Sequence, residues 1–274
     1  MTPVPYMTPV AYRSWLRGAC AMASVGVAAT LSARAVLLGR AVFYLLVMTV
    51  LSRFWITVAH EHATGGIEVP RGIVAYVAIT EWIALSVPAI HLRLEDDIRL
   101  GAVEAHLLRP IPYLLAQVSH TIGALAVRLA VLAPGLALVL LAADGVLPPA
   151  ATWPSIVVLT LLGGTVQVLL VAVAGLSAFW VRRTVAAYLI MQKATFLLGG
   201  LFIPVTFYPR WLAHAALCSP FAAGLYWPAI VVLQPDAATV AAAFLAVTAW
   251  LAALGLLCTG IWRAGLHRLL TRGA

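Results

Sequence analysis

Charge is what this chain has least of. Only 9% of its 274 residues are Asp, Glu, Lys or Arg, against about 25% in an ordinary water-soluble domain. So little charge cannot cover a water-facing surface, which excludes a free-standing soluble domain. Cysteine is scarce as well. Cys20, Cys218 and Cys258 are odd in number and far apart, so neither a disulfide framework nor a cysteine metal site is implied. They read as small apolar packing residues. Lysine is almost absent. The single one is Lys193, and no GxxxxGK[ST] phosphate loop occurs, so the chain carries no ATPase signature of its own. Segments of about ten residues with alternating polarity are missing, which argues against a transmembrane barrel. The first dozen residues lack a basic start, and the first apolar run is too long for a signal h-region, so no cleavable signal peptide is expected.

What the chain has is apolar length. It is 64% hydrophobic with a mean hydropathy of +1.03. Long Ala/Leu/Val runs recur, and a crossing helix needs about 20 such residues. The fold expected is all-α and integral to a membrane.

Met1–Ala11 holds three prolines and no charge, and reads as irregular. Tyr12–Arg34 sets Arg13, Arg17 and Ser24 along one side, with Trp15, Leu16, Ala19, Met22 and Ala23 around the rest. It reads as an amphipathic helix at the membrane interface, or as an extension of the next helix. Residues 1–34 are therefore set apart from a membrane domain, 35–274. Spans are expected at about 35–60, 73–92, 112–142, 155–181, 184–202 and 237–262, six in all. In the first span Arg40 is expected to snorkel to the near interface and Arg53 to lie close to the far one. Between spans five and six, Ile203–Asp236 is broken by Pro204, Pro209, Pro220, Pro228 and Pro235 and is rich in aromatics. Its pieces are too short to cross, and read as re-entrant or surface-lying short helices. No internal repeat is evident.

The net charge of +8 is distributed with a bias. Arg13, Arg17, Arg34, Arg93, Arg99, Arg109, Arg182, Arg183, Arg263, Arg268 and Arg272 fall at one set of helix ends; only Arg71 and Arg210 fall in the opposite loops. That is the positive-inside signature of a membrane protein, not a nucleic-acid patch. It puts both termini in the cytoplasm and the proline-broken region outside.

The densest polar stretch is Leu94–Pro110, LEDDIRLGAVEAHLLRP, with four of the nine acidic residues. Leu94, Ile98, Gly101 or Ala102, Ala105 and Leu108 recur at helical spacing, with Glu95, Asp96, Asp97, Arg99, Glu104 and His106 in other directions. Acidic residues lead and Arg109 trails, as a helix dipole favours; Pro110 stops it, and Gly101 is the expected bend. By residues alone it is either a short helix made for a groove on a soluble partner or a solvated loop.

Other polar residues offer less. Glu81, Arg128 and Lys193 fall inside spans two, three and five. At that depth a charge faces a partner or a wet cavity, and Glu81 is expected to pair with Arg128 or Lys193 or to face a substrate. His60-Glu61-His62 lacks the HExxH spacing and reads as a loop, not a metal site. Glu68 and Glu104 fall on opposite sides of the membrane, so they form no acid/base pair. No catalytic cluster can be assembled, which disfavours an intramembrane enzyme. Tyr208, Trp211, Tyr226 and Trp227 read as an interfacial aromatic belt.

DIRLG followed by LLRP resembles the cytoplasmic signature of ABC-2-type permeases, the membrane subunits of a class of ABC exporters. A second likeness is GGLFIPVTFYPRWLAHAALCSPFAAGLYWPAIVVL, Gly199–Leu233, with a small residue, Phe/Pro, Pro-x-Trp-Leu, then Pro-Phe and an aromatic-Pro pair. The resemblance implies an ATP-driven exporter in a bacterial plasma membrane. Two permeases, identical or related, pair among membrane lipids. Two separate ATPase subunits bind ATP and magnesium, and this chain binds no cofactor. The segment between spans two and three becomes a coupling helix, with Glu95, Asp96, Asp97, Ile98, Arg99, Gly101, Glu104, Leu108 and Arg109 as its contact residues. Pro204, Pro209, Trp211, Pro220, Phe221, Tyr226 and Pro228 become an extracellular re-entrant cap. Few fixed charges in the walls favour a hydrophobic or amphipathic substrate such as a drug, natural product, peptide or lipid-like molecule. A scaffold without a transport path is the alternative.

The topology is testable. Single cysteines replacing Asp96 and Trp211 in a cysteine-free chain should be labelled by an impermeant maleimide from opposite sides of the membrane. Labelling of both from one side contradicts the assignment.

Overall fold

The computed structural model describes residues 9–62, 72–107, 111–142 and 149–272. Among them every regular element is a helix. In chain order these are α1 (Pro9–Ser32), α2 (Arg34–His62), α3 (Ile73–Ser86), α4 (Ile90–Arg99), α5 (Ala102–Leu107), α6 (Tyr113–Ala142) and α7 (Trp153–Leu176). There follow α8 (Val185–Leu198), α9 (Arg210–Leu217), α10 (Pro220–Gly224), α11 (Tyr226–Leu233) and α12 (Ala237–Arg272).

Among the described residues, five helical stretches are long and apolar enough to cross a membrane: Arg34–Ala59, Ile73–Arg99, Tyr113–Ala142, Ala150–Phe179 and Ala237–Leu269. The fifth expected span, 184–202, is shorter than anticipated. Its helix, α8, has 14 residues, or about 21 Å at 1.5 Å per residue, short of the ~30 Å hydrocarbon core. Gly199 ends it, and Gly200 adopts a left-handed φ of 67°. The final helix runs on instead of ending near Trp262, reaching Arg272 over 36 residues. Asp236 starts it: its carboxylate accepts the Thr239 N–H (2.9 Å) and hydroxyl (2.7 Å). Those bonds hold the Asp236 carboxyl below the usual carboxylate range.

The second expected span is broken. Val87 is extended (φ −64°, ψ 124°) because Pro88 disfavours the α conformation in the residue before it and carries no N–H. The chain resumes as α4 at Ile90, so the helix that carries the charged stretch begins inside the expected span. Leu94 belongs to α4 and is wholly buried.

α7 lies at the centre, against α3, α4, α6, α8, α10, α11 and α12. Around it pack the buried side chains of the core, among them Tyr44, Tyr76, Ile79, Leu125, Leu132 and Leu159. α2 and α12 keep long exposed apolar faces, with Leu38, Val42, Leu46 and Val50 on one and Leu245 and Leu256 on the other; lipid is the solvent that such faces require. α1 is separated from α2 by a break at Ala33 and packs along α6. At Gly26 and Gly123 the two backbones touch: a Cβ at either glycine would collide with the main chain of His120 or Ala23. Close backbone approach through small residues is how helices bind one another where the hydrophobic effect is absent.

Gly123→Val should therefore cost about 1–3 kcal/mol or more by overpacking, read as a lower unfolding midpoint in detergent. Gly255→Ala, with nothing within 4 Å of its new methyl, should be neutral or stabilising by up to about 1 kcal/mol through helix propensity. Equal effects would contradict the α1–α6 contact.

Candidate functional site

The charged stretch folds as two helices joined by a bend. α4 ends at Arg99, Leu100 and Gly101 turn, and α5 begins at Ala102. Gly101 has φ 72°, a conformation that only glycine adopts without strain. Leu100, at the tip of the bend, is 80% exposed; Asp96, Arg99, Gly101 and Glu104 are exposed with it. Leu100 is thus a large apolar side chain set among charged neighbours.

Not all the expected contact residues share that surface. Glu95 is turned inward and is only 3% exposed. Its Oε2 accepts the backbone N–H of Thr184 (2.8 Å) and the Thr184 hydroxyl (2.7 Å). Its Oε1 faces Arg99 at 3.5 Å and Arg183 at 3.6 Å. A carboxylate placed there satisfies an orphan donor at the start of α8 and complements that helix's dipole. Asp97 is half-buried, and its Oδ2 accepts the Tyr113 hydroxyl (2.6 Å) and the Gln117 amide (3.0 Å) of α6. Ile98 is buried beneath the bend. Leu108 and Arg109 lie outside the described residues.

The underside of the bend is thus wired to three other helices. Tyr113 takes part twice more: His106 of α5 meets its ring edge-on at 5.2 Å, and Trp262 of α12 stacks on it at 4.7 Å. His91 of α4 stacks on Tyr188 of α8 at 4.0 Å. Sequence reasoning missed Tyr113, Gln117, Arg183 and Thr184. Thr184 was readable as a helix start, a hydroxyl residue just ahead of an apolar run; nothing in the sequence names Glu95 as its partner.

The intramembrane ionisable residues do not pair as expected. Arg128 donates to the Val87 carbonyl at 3.1 Å. Arg40, expected to snorkel to the interface, instead donates to the Leu85 carbonyl. Both guanidiniums thus serve carbonyls that the Pro88 break leaves without a helical N–H. Lys193 lies on an exposed part of α8, its Nζ 5.3 Å from the Phe196 ring centroid, a cation–π contact. Glu81 is buried on α3 and forms no ion pair with either. The side chains of His60, Glu61 and His62 lie outside the described residues, as do Glu68 and Arg71.

The proline-broken segment is a run of short helices, with α10 and α11 against α7 and α11 also against α3. Pro204, Tyr226 and Pro228 are buried, Pro220 and Phe221 are partly so, and Pro209 and Trp211 are exposed. Tyr226 departs from the aromatic-belt reading: it is 7% exposed and meets Tyr76 edge-on at 6.3 Å. Trp211 is 73% exposed.

A protein-family model described as ABC-2 family transporter protein matches residues 46–273. The chain belongs to the ABC-2 transporter family. It is a membrane component of an ABC transporter, a transport subunit and not an enzyme in its own right. The match begins inside α2 and takes in the charged bend and the proline-broken segment. No curated protein and no solved structure matches the chain. In this ABC-2 permease the bend at Leu100–Gly101 is exposed at its tip and held from below by Glu95 and Asp97.

Glu95→Ala should destabilise the chain by about 1–3 kcal/mol, since it orphans the buried Thr184 donors, and should lower the unfolding midpoint in detergent. Glu95→Gln keeps an acceptor and should lose less. Equal, negligible losses would show that the α4–α8 tie contributes nothing.

Proposed function

We propose that this ABC-2 permease is the transmembrane subunit of an ATP-driven exporter, and that α4, the Gly101 bend and α5 form its coupling element. The family match over residues 46–273 carries the reading. The exposed, charge-ringed bend supports its second part, because an element that takes up force must offer one face to a partner and fasten its other face to the bundle. Asp96, Arg99, Leu100 and Glu104 are the face offered. Glu95, Asp97, Ile98 and Tyr113 are the fastening.

In this reading two separate ATPase subunits bind ATP and magnesium, and their closure pushes the bend. Glu95 carries the push to α8, and Asp97 and Tyr113 carry it to α6 and α12. A second permease, identical or related, completes the transport path. α8 with its flanking residues makes a sixth crossing, and α9–α11 form a re-entrant cap on the far side. The bend, both termini and Arg182-Arg183 face the cytoplasm of a bacterial cell, as the arginine bias requires. α1 lies at the interface on that side. The substrate is hydrophobic or amphipathic and moves outward or into the outer leaflet.

Co-expression with candidate ATPase subunits tests this. The expected outcome is co-purification in detergent. Reversing the charges of Asp96, Arg99 and Glu104 together should weaken the association about tenfold, as three exposed ion pairs of ordinary strength would, with membrane insertion unchanged. Recovery of the chain without ATPase under every condition, or undiminished association of the reversed variant, contradicts the proposal.

A further inference from the structure

Between α1, α2, α4 and α6 lies a cavity of about 290 Å³. Its ionisable lining is Arg93 from α4, with His120 and Arg128 from α6; no acidic residue lines it. The ion pairs among the described residues all use Glu95, so neither Arg93 nor Arg128 has a carboxylate within pairing distance. Arg128 donates from one terminal nitrogen to Val87, which leaves other guanidinium donors free. Arg93 Nη1 lies 2.8 Å from His120 Nδ1. An arginine nitrogen only donates, so Nδ1 accepts, and the ring carries its hydrogen on Nε2 as a further donor. Arg40, whose guanidinium reaches Leu85 two residues before Val87, does not line the cavity, but it too has no ion pair among the described residues.

Uncompensated guanidiniums among apolar helices are costly unless an anion meets them. The rest of the lining says what kind. Val36, Leu37 and Ala124 are apolar. Val36 is also 59% exposed and shares one face of α2 with Phe43 and Val50, seven and fourteen residues on, which are 51% and 61% exposed. A cationic recess whose wall continues into a lipid-facing apolar surface suits a molecule that is anionic at one end and oily at the other.

We propose that this recess holds the headgroup phosphate of an anionic phospholipid, from the leaflet on the side of the charged bend, between Arg93 and Arg128. The acyl chains lie along the Val36–Phe43–Val50 face of α2. The lipid fastens α1 to the broken second span, bridging elements that meet at this point through few polar contacts. The proposal rests on the chain being embedded in a bilayer and not on coupling to an ATPase, so it can fail while the transport reading stands.

The test is lipid retention by the full chain, purified from bilayers of phosphatidylglycerol and phosphatidylcholine in equal amounts and measured by native mass spectrometry. Selective retention of phosphatidylglycerol is expected. Arg93→Gln should weaken it about fivefold, the factor that one basic residue contributes near an anionic surface, and Arg93→Lys should restore most of it. Arg128→Gln keeps a donor for Val87 and should also weaken retention. Arg210→Gln, in the opposite loop, should change nothing. Equal retention of the two lipids, or equal losses from Arg93→Gln and Arg210→Gln, overturns the proposal. Displacement of the lipid by equimolar inorganic phosphate overturns its lipid part, since a free anion would then suffice.

Discussion

A helix that breaks inside a membrane exposes carbonyls to oil, and the architecture of this permease turns on how that cost is met. Pro88 interrupts the second crossing, and Leu85 and Val87 are left without helical donors. Arg40 from α2 and Arg128 from α6 supply them. Each arginine thereby satisfies a carbonyl that would be expensive unpaired, while its own charge stays without a carboxylate partner among the described residues. The exchange fastens α2, α3 and α6 at one point. It also frees α4 from the line of α3, so that the charged bend can take its own direction.

From that break onward, the bend is fixed from beneath by acidic side chains and presented to solvent by its tip. Glu95 and Asp97 are two residues apart on α4, and they reach different helices, α8 and α6. A displacement of the bend is therefore shared by separate parts of the bundle. Tyr113 adds α12 through its stack on Trp262. A rigid, branched mount of this kind suits the coupling role proposed for the bend. A loop tethered only at its ends would absorb the same displacement by deforming.

Much of this was legible in advance, for identifiable reasons. Gly101 was readable as a bend because the left-handed region is open chiefly to glycine. The long spans were readable because a membrane imposes a minimum apolar length. The broken segment after α8 was readable because its prolines leave no piece long enough to cross. Other features were hidden because they depend on partners distant in the chain. Glu95 and Asp96 are neighbours of the same chemical type, yet one is buried and the other exposed; the difference is Thr184, 89 positions away. Tyr226 and Trp211 belong to one aromatic-rich segment, yet only Tyr226 meets Tyr76. Glu81, Arg128 and Lys193 invited pairing by charge, but the nearest need for Arg128 was a carbonyl.

Taken alone, the sequence determines the solvent of this protein, its helical class, the side on which its arginines collect and the place where its charged stretch bends. Each follows from composition or from the conformational limits of single residues. The tertiary structure decides which charges are spent inside and which are offered outside. It decides that the second crossing is broken and mended by arginines, that α8 is short, and that a cationic recess remains open beside the break. Those outcomes depend on which helices come to lie side by side, and no local pattern in the chain records that.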